Sequence, residues 1–288
     1  MTPDPSFSRL CSLQRQISDS VLCLSAAGSE SMHSGIREAM RVGAPAEVQV
    51  RTELGQINHA TTFDKESRIV LISLDGLLLH KMPIWLAAYG YTSVELLNDG
   101  LERLADLRPR AVILHMTTRG GLMTGVPEAA AKLRQFSRDV APTYGFTDTH
   151  CLSAGHWLAS GCSYFHASPS SMVGGIGAHR VMFDSSEASA MDGETVHLRT
   201  SGPLKGAGYP GTRVSDRQLE AMQKEVDAVG DDFKKIFYAR WRGASPRVFD
   251  GGTHRAASAE GSTICDGSNF NSATAHARGV MAAVLRFR

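Results

Sequence analysis

The segment "CLSAGHWLASGCSYF", residues 151–165, carries two serines, Ser153 and Ser160, each followed by a small residue. A serine becomes a nucleophile when its hydroxyl meets a base within hydrogen-bond reach and fixed donors face the oxyanion that forms on attack. "TDTHCL" reads as the end of a strand and "AGHWLAS" as the start of a helix, so Ser153 occupies a strand-to-helix turn. Free backbone N–H groups and a positive partial charge collect there. Ser160 falls about two turns inside the same helix, where a serine bonds back to its own turn. No Gly-x-Ser-x-Gly surrounds Ser153, and a helix cap is the commoner role for such a serine. His150, Cys151 and His156 flank it, which makes a Cys–His or Ser–His arrangement conceivable, although packed or solvated histidines are commoner. No pair has a metal-ligand spacing such as His-Glu-x-x-His, which argues against a metal centre.

The elements that must position these residues alternate from Ser67 onward. "RIVLISLDG" is an apolar run ending in Asp-Gly, a strand and turn. "TSVELLNDGLERLADL" has Val94, Leu97, Leu101 and Leu104 at helical spacing, with Thr92 and Glu95 placed as a capping box. "AVILHM" is a buried strand, "GGLM" a turn, and "VPEAAAKLRQFSRDV" a helix with Pro127 in its first turn. "YGFTDTHCL" follows as a strand and "AGHWLASGCSYFHAS" as a helix. This order predicts an α/β class with a mostly parallel sheet and right-handed crossovers. "SSMVGGIGAHRVMF" and "TVHLRTSG" read as further strands. "SDRQLEAMQKEVDAVGDDFKKIFYARW" is a long amphipathic helix, with Ser215 and Gln218 as a capping box and a stripe of Leu219, Met222, Val226, Val229, Phe233, Ile236 and Arg240. A core or subunit-packing role suits that stripe. Residues 1–66 lack sustained periodicity apart from a possible short helix near "SGIREAMRV", and form an extension, irregular in part, ahead of a domain at 67–288.

Composition narrows the function classes. The 288 residues are 42% hydrophobic, with 30 basic and 29 acidic side chains and a formal charge of +1. That balance leaves no electrostatic footprint for nucleic acid or an anionic membrane. Five cysteines without Cys-x-x-Cys spacing argue against a disulfide framework or a structural zinc site, and for a reducing compartment. The most apolar run is broken by Asp75, His80, Lys81 and Pro83, and the start "MTPDPSFSRL" lacks the basic and apolar regions of a signal peptide. A cytoplasmic protein without a transmembrane anchor is expected.

"TTRGG" after a buried strand, then "CLSAGHWLAS", "GGIG", "TSGPLKGAGYPG" and the long helix ending "RWRG" resemble the signal-peptide peptidase A family of serine proteases, and especially its phage head-maturation and prophage branch. The similarity runs from about Ser67 to Asp266. In that family a serine in "SGG" or "SAG" stands 21 residues before the first glycine of "GSIG"; here Ser153 stands 21 residues before Gly174. The resemblance therefore selects Ser153 over Ser160. It implies Lys205, in "SGPLKGAG", as the base of a Ser–Lys dyad, with Ser171 and Ser201 as weaker candidates to orient the lysine. It further implies the N–H groups of Gly120 and Ala154 as oxyanion donors, and Gly121, Gly174 and Gly175 along the substrate groove. Arg119 replaces the family's proline and Gly175 its serine, and the family's tail survives only in part in "DGGTHRAASAEGSTICDG".

The implied fold is the ClpP/crotonase-like spiral of βαβ units with a long C-terminal amphipathic helix. The implied activity is peptide-bond hydrolysis through an acyl-enzyme, without a cofactor, on a polypeptide such as capsid or scaffold protein. The setting is the bacterial cytoplasm or a phage prohead, in a homo-oligomeric ring. Two alternatives belong to other classes: a catalytically silent assembly protein of the same fold, and an acyl-CoA enzyme of the crotonase type.

Overall fold

The computed structural model describes residues 22–24, 34, 38, 61–82, 84–258, 261 and 263–266. In chain order the strands and helices are β1 (Leu22–Leu24), β2 (Thr61–Asp64), β3 (Ile69–Asp75), β4 (Leu77–Leu79), β5 (Tyr91–Ser93), α1 (Val94–Asp106), β6 (Ala111–Thr117) and β7 (Gly120–Leu122). They continue with α2 (Val126–Asp139), β8 (Thr143–Thr147), β9 (His150–Leu152), α3 (Ala154–Ala159), β10 (Tyr164–Ala167), β11 (Met172–Gly174), α4 (Ser186–Met191), α5 (Asp216–Arg240) and β12 (Thr253–Arg255). The class is mixed α/β with parallel sheets, as the alternation of apolar strands and amphipathic helices predicts.

Among the described residues the strands form three sheets. The largest has the order β10-β8-β6-β3-β2, parallel throughout except for the β2–β3 pair. The second has the order β1-β7-β4-β5 and the third β12-β11-β9. Strand β3 turns Val70, Ile72 and Leu74 to one side, where β6 adds Val112, Leu114 and Met116. Helices α1 and α2 cover that side with Val94, Leu97, Leu101 and Leu104, and with Val126, Ala129, Leu133 and Phe136, in one continuous core. Periods of two on the strands and about 3.6 on the helices meet there, which is why the order could be predicted. The sheet begins at Thr61, upstream of residue 67.

Local chemistry departs from expectation in five places. The cap of α1 is Ser93, whose hydroxyl accepts from the Leu96 N–H, because Thr92 Oγ1 is already committed to the Asp75 carbonyl. "GGLM" is not a turn: Gly120–Leu122 is strand β7, and Gly121 lies so close to β4 that a Cβ would come within 2.0 Å of the Leu78 carbonyl oxygen. "YGFTDTHCL" makes two strands in different sheets, β8 and β9, separated at Asp148–Thr149. The helix after Ser153 ends at Ala159, since Gly161 packs on the Ala130 backbone and the chain re-enters the main sheet as β10 beside β8. From the two stretches read as strands after Ser170, only Met172–Gly174 is one; Thr195–Gly202 runs without strand pairing, and α4 was not foreseen. Of the helix expected near "SGIREAMRV", Ser34 and Glu38 are helical and the other positions lie outside the described residues.

Candidate active site

Ser153 joins β9 to α3 with φ 53° and ψ −121°, in the half of backbone space where only glycine is at ease. Its N–H donates to the Gly174 carbonyl at 2.8 Å and its own carbonyl accepts from the Trp157 N–H at 2.9 Å. The turn is therefore held from both ends. A capping serine would turn its hydroxyl back onto the first free N–H groups of the helix, but Ser153 makes no such bond. Its Oγ is buried with no hydrogen-bond partner among the described residues. A strained backbone costs about 1–3 kcal/mol and an unsatisfied buried hydroxyl about as much again. No cap hydrogen bond from the side chain offsets either cost.

Three backbone segments enclose this turn. On one side Thr118 joins the end of β6 to β9: its N–H donates to the His150 carbonyl and its carbonyl accepts from the Leu152 N–H, each at 2.9 Å. Its methyl packs so tightly on Gly155 that a Cβ there would come within 2.2 Å. The small residue after Ala154 is thus required by Thr118. Gly120 (φ 104°) opens β7 two residues later, and its N–H donates to Thr118 Oγ1 at 3.1 Å. The Ala154 amide, first of α3, has no acceptor within the helix, as helix geometry dictates. On the other side Gly174 and Gly175 (φ 103° and 66°) wrap around Ser153, with a Cβ on Gly175 falling 3.6 Å from that of Ser153. The Gly175 N–H is anchored on the Gly252 carbonyl at 2.7 Å.

His156 fastens the third segment. Its Nδ1 accepts from the Gly174 N–H at 3.0 Å and its Nε2–H donates to the Ile264 carbonyl at 2.9 Å, which fixes a neutral imidazole. Full burial against Phe165, Phe237 and Trp241 lowers its pKa to about 3, partly opposed by those two backbone bonds. With both nitrogens engaged, His156 cannot serve Ser153 as a base; it is a strut. Its exact role was invisible in sequence because both partners are backbone groups from distant segments. His150 is half-buried on β9, and burial with nearby Arg119 holds its pKa down. Burial pushes the Cys151 thiol well above its usual range and the Cys162 thiol up to about 12, so neither offers a thiolate. Ser160 is the C-cap of α3, and its Oγ donates to the Trp157 carbonyl at 2.6 Å, the bond back to its own turn that was expected.

The structure thus brings Ser153, Ala154, Gly120, Gly174 and Gly175 around one turn, with Gly121 next in β7 and pressed on β4. Lys205 makes no hydrogen bond to Ser153. It is exposed, in a turn closed by its own N–H to the Gly202 carbonyl at 3.1 Å, within the long arm 178–215. Ser201 is exposed on the same arm, whereas Ser171 is buried with its hydroxyl donating to the Thr147 carbonyl. Among the described residues no group of His, Cys, Asp and Glu is arranged to hold a metal ion, and no helix is long and apolar enough to cross a membrane.

Residues 135–252 match Peptidase family S49. The matched S49 segment begins within α2 and ends just before β12, so it contains Ser153, the Gly174–Gly175 turn and Lys205. The Gly120–Gly121 strand lies outside it. Among solved structures, the chain is similar to the "1510-N membrane-bound stomatin-specific protease" in a mutant form, at 9% identity and a TM-score of 0.40, over 71% of this chain and 80% of that one. No curated protein matches the sequence.

Proposed function

We propose that the protein is a serine endopeptidase in which Ser153 attacks the peptide carbonyl and Lys205 is the base. The observation that carries the proposal is the Ser153 hydroxyl, buried and unpartnered on a positive-φ strand-to-helix turn inside an S49-matching segment. Ser153 Oγ bonds to the carbonyl carbon while its proton passes to a neutral Lys205 amine. The N–H groups of Ala154 and Gly120 hold the oxyanion, Gly120 exchanging its bond to Thr118 Oγ1 for one to the substrate. Collapse expels the leaving amine, which takes its proton from Lys205, and water then hydrolyses the acyl-enzyme by the same route. The fold we assign to this chemistry is the ClpP/crotonase-like spiral, and the substrate class a capsid or scaffold polypeptide in a phage or prophage setting.

The position of Lys205 fits assembly before catalysis. The arm that carries it exposes Val181, Phe183, Met191, Leu204 and Tyr209, and Phe183 and Met191 are 74% and 88% accessible. A neighbouring copy that covers these side chains brings a Lys205 to a Ser153 and desolvates the amine, as a general base of this type requires. The homo-oligomer is thus part of the proposed active site.

Mass-spectrometric mapping of fluorophosphonate labelling tests this on the wild type and on Lys205→Ala. Modification of Ser153 that is lost with Lys205 is the expected result. An unlabelled Ser153 in folded, assembled protein removes the peptidase and favours the silent assembly protein, a reading supported by the exposure of Lys205 and the lack of any hydrogen bond between it and Ser153. Binding of coenzyme A would point instead to the acyl-CoA alternative.

A further inference from the structure

Strand β7 has two edges. One is taken by β4, with Leu78 paired to Gly121, and the other by β1, paired antiparallel in the register Leu22 to Leu122, Cys23 to Gly121 and Leu24 to Gly120. Without β1, β7 would be the open edge of its sheet, and an open edge is a template on which an extended polypeptide adds as one more strand. This edge is no ordinary one. It starts at Gly120, whose N–H is held by Thr118, the residue that ties β7 to β9 directly before Ser153. A strand on β7 therefore runs past the candidate nucleophile. The direction of β1 matters as well: Leu24 faces Gly120, so the segment advances towards the Ser153 end of β7 with its C-terminal residue leading. A polypeptide laid down in this sense brings a carbonyl beyond its paired residues to the oxyanion donors, with its N-terminal part held on β7.

Resting on the peptidase function proposed above, we infer that Leu22–Leu24 occupies the substrate-strand position on β7 and keeps the site occluded until it leaves. The occupant is a segment of the same chain, present at the high effective concentration of an intramolecular ligand, so a substrate must compete with it. Three paired residues make a short strand, and displacement is correspondingly easy.

The test uses the full chain and two variants, Cys23→Pro and Leu24→Pro. Consecutive strand residues point their N–H groups to opposite edges, so one of the two prolines removes a donor from the ladder with β7. Two readouts are taken on each protein: hydrogen exchange at the Gly121 and Leu122 amides, and the rate of fluorophosphonate labelling of Ser153. Exchange at β3 and β6 reports that the core remains folded. The expected result is faster exchange on β7 together with a severalfold faster labelling of Ser153 in at least one variant. Unchanged exchange in both variants would show that β1 does not hold β7 and would overturn the inference. Faster exchange with an unchanged labelling rate would show that β1 does not block the site, and would overturn it while leaving the peptidase intact. Faster exchange with Ser153 unlabelled in every protein would remove the peptidase function, and the occlusion with it.

Discussion

Ser153 combines two unfavourable features, a positive φ and an unengaged buried hydroxyl, and each can be removed separately. Ser153→Gly relieves the backbone strain, which more than offsets the added freedom of glycine in the unfolded chain. Chemical denaturation should show the variant more stable by about 1 kcal/mol, with fluorophosphonate labelling abolished. A serine kept only as a cap would behave in the opposite way and lose stability. His156 supplies the second prediction at this scale. Its folded pKa of about 3 lies below the ordinary value of 6.5, so between those limits the unfolded chain binds the proton and the folded chain does not. Stability is complete above about pH 6.5 and falls as the pH drops towards 3. At about pH 4.5 the loss should reach about 2–3 kcal/mol in denaturant titrations. His156→Gln, which can retain one of the two backbone bonds, should start less stable and show a flatter pH dependence.

The elements around the site are tied by close backbone approaches. Thr118 leaves no room at Gly155, and the Leu78 carbonyl leaves none at Gly121. Gly155→Ala drives a methyl into the buried β-branched side chain of Thr118 at the base of the turn that carries Ser153. The expected cost is about 1–3 kcal/mol, with Ser153 labelling slowed, because the displaced segment is the one that aims the hydroxyl. Gly155→Ala combined with Thr118→Ser makes room for the methyl and keeps the hydroxyl that accepts from Gly120. The pair should recover much of both losses, measured by thermal denaturation and labelling rate. Failure of the second change to restore either would show that Thr118 does not set the turn.

At the scale of the whole molecule, the arm 178–215 and the first half of α5 stand away from the core. Only Phe233 and Phe237 of α5 are buried, while Leu219 is 43% accessible. The stripe on α5 thus splits, its last turns packing on α3 and Trp241 while its start is available to a neighbour. Replacing both Phe183 and Met191 by Asp should leave the unfolding free energy of the isolated subunit within about 0.5 kcal/mol of wild type, as expected for positions exposed in one chain. Sedimentation should show the proposed oligomer weakened, and Ser153 labelling should fall with it if Lys205 acts across subunits. Normal labelling in a dissociated variant would place the base within one chain.

Amphipathic periods and strand runs determined the helices α1, α2 and α5, the strands β3 and β6, and the α/β class, because these patterns are local and the core only had to accept them. The strand-to-helix junction at Ser153 was legible in the same way, and the family resemblance favoured that serine over Ser160. Other features were decided only in three dimensions. Thr92 read as the cap of α1, but its hydroxyl goes to the Asp75 carbonyl and Ser93 caps the helix instead; "GGLM" read as a turn, but Gly121 pairs with Leu78 in a sheet. The strain at Ser153, the neutral strut of His156 and the pairing of Leu22–Leu24 with β7 all depend on backbone groups far away in the chain. Backbone carbonyls and amides are the same at every position, so a sequence carries no mark of which of them will meet.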